Sequence, residues 1–312
     1  MLHSPDRHAG GPVVVFSDQA DWHQDRLVDA LRARGVGPVV APLSEACFEI
    51  GGRAPIAIPG CGGRLPRAAM VRGIAAGSFE AVTMRVGVLQ GLEDLGVTVW
   101  NGARAIARCV DKAACSLALA RAGLPTPRTL VTESRTRALD FLAREIGRGN
   151  KVVLKPLFGS QGKGLRLLHL ARDLPDRDDV YGVYYLQRFL SPAGRVYQDI
   201  RVFVSAGRVV AGMVRRGSSW ITNVHQGAIP APIAVTPAME RLALAAVAAV
   251  GADFAGVDLM EDGKGGLVVI EVNSMPAWRG LQSTTAIDMA DRLAADWLAA
   301  ARIDAAVVGS QR

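Results

Sequence analysis

The sequence predicts a small α/β unit with a mostly parallel sheet, followed by a larger α+β region. Three observations predict it. Apolar strands alternate with helices through the first hundred residues, which is the pattern of a parallel sheet with crossover helices. Beyond them, strands pair as hairpins. Helix and turn signals (Gly35, Gly96, Asp111, Gly123 and the Asp262-Gly263 pair) fall at the joints between these segments.

In chain order, Val13–Phe16 reads as an apolar strand, a helix follows Asp21 and ends near Gly35, and another strand lies around Val39–Leu43. A second helix carries Val82, Val86, Leu89 and Leu92 towards Leu95 and stops at Gly96. It leads into the strand Val97–Trp100 and an Asn101-Gly102 turn. From Asp111, read as an N-cap, a helix runs to Gly123, after which Pro125 and Pro127 force an extended connection into Thr129–Val131. The strands Lys151–Lys155 and Leu165–Leu168 form a hairpin around a loop rich in Gly, Ser and Lys. Strands are then expected at Tyr184–Arg188, Asp199–Val204 and Val209–Val214, a helix at Pro237–Val250, and strands at Gly256–Met260 and Leu267–Asn273. The Ala-rich run Leu242–Val250 is apolar almost all round and reads as a core helix.

With 312 residues, half of them apolar, the chain can build a sizeable core over two or three units. No stretch approaches the roughly 20 uninterrupted apolar residues of a membrane span, and the N-terminal residues lack the build of a signal peptide, so a cytoplasmic location is expected. Cys47, Cys61, Cys109 and Cys115 show no paired metal-ligand spacing and read as unpaired thiols. The formal charge of +7 suits a nucleotide or polyanionic substrate. Nucleic acid is the weakest partner reading, because no helix-turn-helix, finger or aromatic-basic stacking pattern accompanies that charge.

The chemistry concentrates in a few places. Glu271 and Asn273 lie two apart on one strand, so their side chains share a face, and Asp258 on a neighbouring strand can join them. Two carboxylates and an amide make an oxygen set suited to Mg²⁺, which keeps much of its shell for phosphates and water. Lys155 closes the apolar strand Val152-Val153-Leu154, and Lys112 opens a helix whose first turn ordinarily favours acids. Both are placed for phosphate. The loop Gly159-Ser160-Gln161-Gly162-Lys163-Gly164 allows close approach of main-chain N–H groups to an anion. No segment matches a P-loop, and no Gly-x-Gly-x-x-Gly follows the first strand.

The ordered set of Asp111-Lys112, Lys155-Pro156, the Gly-rich loop, Leu186-Gln187-Arg188-Phe189, Asp199-Ile200-Arg201, Asn223, Gly256-Val257-Asp258 and Glu271-Val272-Asn273-Ser274 resembles the ATP-grasp ligases. Within them the chain most resembles the RimK-like α-L-glutamate ligases, with Arg215-Arg216-Gly217-Ser218-Ser219-Trp220-Ile221-Thr222-Asn223 the closest match. The resemblance implies an ATP-grasp fold behind an N-terminal Rossmann-like domain. It divides the chain into a flexible N-terminus (1–11), a pre-ATP-grasp α/β domain (12–105), a central subdomain (106–187), a C-terminal subdomain with the metal site (188–305) and a tail (306–312). It places ATP between two α+β halves, Lys112 and Lys155 on its phosphates, Gln187, Arg188 and Phe189 along the adenine, and one or two Mg²⁺, with Mn²⁺ as a substitute, on Asp258, Glu271 and Asn273. Arg188 contributes there through its backbone, since many relatives carry an acid at that position. Arg201, Arg215 and Asn223 would act near the transferred phosphate.

The activity implied is ATP-dependent amide formation through an acyl phosphate, with L-glutamate as the amine and a small-molecule carboxylate, such as a tetrahydromethanopterin-type cofactor, as acceptor. A protein or carrier-protein terminus is the alternative acceptor. A nucleotide-binding regulator on a ligase fold is the alternative of another class. Relatives of this kind often form homo-oligomers. Arg72 and Arg85 are candidates for anchoring a substrate carboxylate, and His225 is left without a role.

Overall fold

The computed structural model describes residues 10–52, 54–159, 162–191 and 196–304, so Ser160 and Gln161 of the Gly-rich loop lie outside the described residues, as do 1–9 and 305–312 of the two terminal stretches. The first unit contains β1 (Val13–Phe16), α1 (Trp22–Ala33), β2 (Val39–Ala41), β3 (Cys47–Phe48), β4 (Ile56–Ala57), β5 (Ala68–Val71), α2 (Phe79–Asp94), β6 (Thr98–Trp100) and α3 (Ala103–Val110). Its main sheet runs β2-β1-β5-β6, with every pair parallel. β1 is buried at every position, as a strand covered on both faces requires. α1 starts where the Asp21 side chain accepts from the Gln24 N–H at 2.8 Å, and α2 starts in the same way on Ser78.

The chain continues through α4 (Lys112–Arg121), β7 (Thr129–Thr132), α5 (Arg135–Ile146), β8 (Val152–Lys155), β9 (Arg166–Leu168) and β10 (Tyr184–Arg188). The second sheet, β7-β10-β8-β9, is antiparallel. Alternation divides its residues between two faces: Val152, Leu154, Tyr184 and Leu186 pack on Ala138, Phe141 and Leu142 of α5. Lys155, Tyr185 and Gln187 project from the other face.

The third sheet is built from β11 (Tyr197–Ser205), β12 (Arg208–Gly217), β13 (Ile229–Pro232), β14 (Phe254–Glu261) and β15 (Leu267–Asn273), in the antiparallel order β13-β12-β11-β14-β15. Its back is covered by α6 (Pro237–Val250), whose Ala243, Ala246, Val247 and Val250 pack on Ile200, Val202, Val204, Val257 and Leu259. The core helix read from Leu242–Val250 is therefore present, with the small Ala side chains letting it lie close on the strands. After β15 come α7 (Arg279–Gln282) and α8 (Met289–Ala300).

α8 returns to the first unit. Leu293, Ala294 and Trp297 join Leu27 and Leu31 of α1 in one core, and Arg26 and Arg34 form ion pairs with Asp288 and Asp291. Asn101 and Gly102 make the short turn between β6 and α3, and Asn101 is in addition a fully buried link between the units. Its amide donates to Phe254 O at 2.8 Å and Ser274 O at 2.6 Å, while its Oδ1 accepts from Asp253 N at 2.6 Å and Phe254 N at 2.9 Å. Four bonds from one side chain fix the start of β14 and the exit of β15 against the first sheet, and each is worth about 0.5–1.5 kcal/mol net. Gly102 N-caps α3. Among the described residues no helix is long and apolar enough to cross a membrane.

Candidate active site

The face of the third sheet opposite α6 carries the polar residues. Arg201 of β11 is the register partner of Asp258 on β14, which is in turn the partner of Glu271 on β15. Cross-strand partners point to the same side, so the three form a row across the sheet. One step along, Asp199 pairs in register with Arg215 of β12. Arg201 holds Asp258 at two points, Nε to Oδ1 at 2.7 Å and Nη2 to Oδ2 at 2.8 Å, and Arg215 Nη2 reaches the same Oδ2 at 3.0 Å. Arg215 also grips Asp199 through Nε at 2.6 Å and Nη2 at 2.5 Å, and Thr222 Oγ1 donates to Asp199 at 2.8 Å.

Burial alone would raise the pKa of Asp258, but Arg201 and Arg215 outweigh it and hold the carboxyl at about 2. Burial would likewise discharge Arg215, and the carboxylates of Asp258 and Asp199 on either side prevent it. Gly256 keeps the row open. A Cβ there would stand 3.3 Å from Arg201 Cδ and 3.0 Å from Pro276 Cβ, tighter than a side chain accepts without displacement.

The second sheet supplies the lysines. Lys155 is half-buried, with its ammonium 6.0 Å from the Tyr185 ring centroid. Burial lowers its pKa, Glu271 and Asp258 pull it back up, and Lys112 pushes it down again. The two lysines and two acids therefore share one space between the second and third sheets. Lys112 Nζ donates to Gly159 O at 2.6 Å, tying the opening of α4 to the Gly-rich loop. Gly162, at φ +70°, lies so close to Ile221 and Gln226 that a Cβ would sit 2.9 Å from Ile221 Cγ2. The loop thus rests on the segment that follows β12. Lys163 and Gly164 are exposed on it.

Gln187 faces the same side as Lys155 and donates to Thr129 Oγ1 at 3.0 Å and Tyr185 Oη at 3.4 Å. The Tyr185 hydroxyl pairs with Ser116 Oγ at 2.7 Å, and burial pushes its pKa up to about 12. Phe189 meets Trp220 edge to face, with centroids 6.0 Å apart.

The side chain of Arg188 is not brought to the site. Period-two alternation turns it to the α5 face, where buried Glu145 accepts from its Nε at 2.7 Å and from its Nη2 at 3.3 Å, and where Arg128 and Arg148 converge on the same acid. Only its backbone, whose N–H donates to Arg128 O at 2.8 Å, stays with the strand edge. Asn223 caps a short 3₁₀ turn, its Oδ1 accepting from His225 N at 2.9 Å, and His225 itself is exposed.

Asp199, Thr222 and Tyr185 are site residues that the sequence reading named no role for. The signal was available: Asp199 stands two before Arg201 and Tyr185 two before Gln187, so each shares a face with a residue already singled out.

Among the described residues no group of three His, Cys, Asp or Glu side chains is arranged to hold a metal. The donor set here is two carboxylates and an amide. Glu271 forms no ion pair with Lys or Arg among the described residues, and Asp258 Oδ1 accepts a single hydrogen bond. The Asn273 amide can be turned to face either Glu271 and Arg201 or Asp258 and the Gly256 carbonyl. Hard oxygens with free lone pairs fit a Mg²⁺ ion that brings its own phosphate and water ligands. Four cationic side chains (Lys112, Lys155, Arg201, Arg215) face three carboxylates (Asp199, Asp258, Glu271), an excess that suits a polyphosphate.

Comparison with known proteins gives a consistent result. A family model described as a RimK-like ATP-grasp domain matches residues 109–298. A tetrahydromethanopterin:alpha-L-glutamate ligase of Methanococcus maripaludis is 33% identical over 295 residues, covering 89% of this chain and 95% of that one. A probable alpha-L-glutamate ligase of Pseudomonas paraeruginosa is 31% identical over 280 residues, covering 85% of this chain and 87% of its own. Among solved structures, the ATP-grasp ligase PsnB in complex with a minimal precursor superposes with a TM-score of 0.69 at 23% identity, over 92% of this chain and 98% of that one. A RimK domain ATP-grasp protein from Sphaerobacter thermophilus gives 0.65 at 22%, over 92% and 99%. At these identities the structures speak for the fold.

Proposed function

The chain belongs to the RimK-like ATP-grasp family and is an ATP-dependent ligase, and from that premise we propose that it joins the amino group of L-glutamate to a carboxylate of a tetrahydromethanopterin-type small molecule. The observation that carries the reading is the row Arg201, Asp258, Glu271 facing Lys155 and Lys112, in a chain whose relatives over nearly its whole length are named for this reaction.

A carboxylate is a poor electrophile. An acceptor carboxylate oxygen attacks the γ-phosphorus, the bond from that phosphorus to the bridging oxygen breaks, and ADP leaves with the electron pair. The acyl phosphate so formed is attacked at its carbonyl carbon by the unprotonated amine, and inorganic phosphate departs as the amide forms. Phosphoryl transfer asks for positioning and charge neutralisation more than for an acid or base, which agrees with a site of Lys and Arg without a catalytic triad. Lys112 and Lys155 bind the nucleotide phosphates. Arg201 and Arg215, already oriented by Asp258 and Asp199, offer guanidinium N–H groups to the phosphoryl oxygens. Gln187 and Phe189 border the base, and the Asn223 amide assists near the transferred group. Asp258, Glu271 and Asn273 would hold one or two Mg²⁺, which supply positive charge against the phosphates. The loop around Gly159 to Gly164 excludes water from the acyl phosphate.

Mass spectrometry of the products after incubation with ATP, L-glutamate and a tetrahydromethanopterin-type acceptor tests the proposal. The expected result is a glutamylated acceptor formed in step with ADP and phosphate. No release of ADP and phosphate with any acceptor in the presence of glutamate rejects it.

A further inference from the structure

Arg72 is a feature that neither the fold nor the phosphate chemistry accounts for. It follows β5 directly, at the carboxyl end of a parallel strand, beside the loop that leaves β1. In open α/β sheets that end is where ligands bind, where neighbouring connections run to opposite sides of the sheet. The β2-β1-β5-β6 order puts that point between β1 and β5.

The Arg72 residue is 9% exposed, and among the described residues its guanidinium makes no hydrogen bond; Nε is fully buried with no acceptor. Its only acidic neighbour, Asp21, stands 3.6 Å away and is already committed to the Gln24 N–H at 2.8 Å and His23 Nδ1 at 3.0 Å. The His23 bond has a defined direction. The Arg279 N–H donates to His23 Nε2 at 3.2 Å, so Nε2 is unprotonated and Nδ1 carries the proton towards Asp21. Burial and the Arg72 charge both lower the His23 pKa and keep the ring neutral. With both ring nitrogens engaged, His23 offers Arg72 no acceptor. Arg279, whose guanidinium carbon lies 5.8 Å from the Trp22 ring centroid, adds a second cation beside His23.

A buried guanidinium without acceptors is costly and rare, and a protein keeps one where a ligand supplies the missing oxygens. Arg72 is held ready for this: its carbon stands 4.8 Å from the centroid of the buried Trp278 ring, whose own Nε1–H has no partner either. Trp278 lies five residues beyond Asn273, so the chain that leaves the oxygen-rich row comes directly to Arg72.

We propose that Arg72, backed by Trp278 and accompanied by Arg279, forms the subsite for a carboxylate of the ligase substrates that does not react. The inference rests on the ligase reading, which requires the reacting carboxylate to lie by Arg201 and leaves the others to be held elsewhere. A planar two-oxygen group matches the guanidinium fork. It comes from the amine substrate, glutamate, or from the acceptor.

The test uses Arg72→Met and Arg72→Lys, with Trp278→Phe to remove one N–H donor while keeping the ring under Arg72. L-glutamate is titrated calorimetrically into ADP-saturated protein, and KM is measured separately for glutamate, for a tetrahydromethanopterin-type acceptor and for ATP. Glutamate binding at least about tenfold weaker in Arg72→Met, partly restored in Arg72→Lys, with KM for ATP unchanged, supports the subsite and assigns it to the amine. A KM increase confined to the acceptor supports it and assigns it there. If Arg72→Met fails to fold, Arg72→Lys and Trp278→Phe decide on the same measurements. Folded variants in which neither substrate binds more weakly overturn the proposal. A wild type that binds glutamate through Arg72 but forms no amide would instead reject the ligase reading and leave the subsite standing.

Discussion

Arg201 and Asp258 are direct register partners across β11 and β14, and their side chains meet as a parallel two-point ion pair at 2.7 and 2.8 Å. Arg215 closes on the same carboxylate from β12. Asp258→Asn leaves the Arg201 guanidinium without its carboxylate and Arg215 with Asp199 alone. Removing one member of such a pair costs about 3–5 kcal/mol, so a thermal midpoint lower by many degrees is expected, with ADP release down by at least about 100-fold. The pH dependence follows from a folded pKa of about 2, below the ordinary value of 3.8. The stabilisation is complete above the unfolded value and is lost as pH falls towards 2. Wild type should lose stability on acidification through that window more steeply than the variant, as read by melts at pH 7, 4 and 3. A variant melting within a degree of wild type at pH 7 would show that the pair does not anchor the row.

Lys155 sets an alkaline limit. Burial lowers its pKa from 10.5, and only the charged form attracts phosphate. KM for ATP should therefore rise with pH before an ordinary lysine would deprotonate, since binding is lost as pH passes upward through the lowered value. Lys155→Arg, always charged, should flatten that rise while lowering kcat through its different geometry. Lys155→Ala should nearly abolish turnover with the fold intact by circular dichroism. A KM profile of the same shape in wild type and Lys155→Arg would remove Lys155 from the phosphate site.

Gly162 tests the loop. With φ at +70° and Ile221 Cγ2 2.9 Å from where a Cβ would stand, Gly162→Ala strains the backbone and lifts the loop from the segment after β12. ADP release should then outrun amide formation, because water reaches the acyl phosphate that the closed loop protects. The measurement is the ratio of ADP to amide product, expected to rise severalfold over wild type. An unchanged ratio would mean that the loop covers nothing reactive.

The parts of this architecture that were legible in the sequence are those governed by local periodicity. Alternation of two placed Glu271 and Asn273 on one face and Lys155 at the end of an apolar strand, and cap chemistry placed Asp111 before α4. The Arg188 side chain is set aside because many relatives carry an acid there, and strand alternation, which turns Leu186 and Arg188 away from Gln187, gives the physical reason. What it could not supply was Glu145, a buried acid on α5, 43 residues away in sequence, that claims Arg188. Asn-Gly gave the turn at Asn101 but not its buried role. Its four bonds to Asp253, Phe254 and Ser274 depend on tertiary placement alone. Arg72 stood out only as one arginine among many until its burial without acceptors distinguished it.

Asp253 gives the last prediction, at the junction that Asn101 ties together. Burial, with the Glu93 charge nearby, pushes its carboxyl up to about 6 against the pull of the Gly102 N–H. For an acid whose folded pKa lies above the unfolded 3.8, the folded state holds the proton over the interval between them. Stability therefore falls as pH rises from about 4 to about 6, and the whole penalty is present above that range. Asp253→Asn keeps an oxygen for the Gly102 N–H and carries no charge to desolvate. Discounted for the partial exposure of the group, the gain at pH 8 is about 1 kcal/mol, a rise of about two degrees in the thermal midpoint. At pH 4 the variant and wild type should melt together. A variant no more stable than wild type at pH 8, or more stable by the same margin at both pH values, would show that this carboxyl carries no penalty of charge burial.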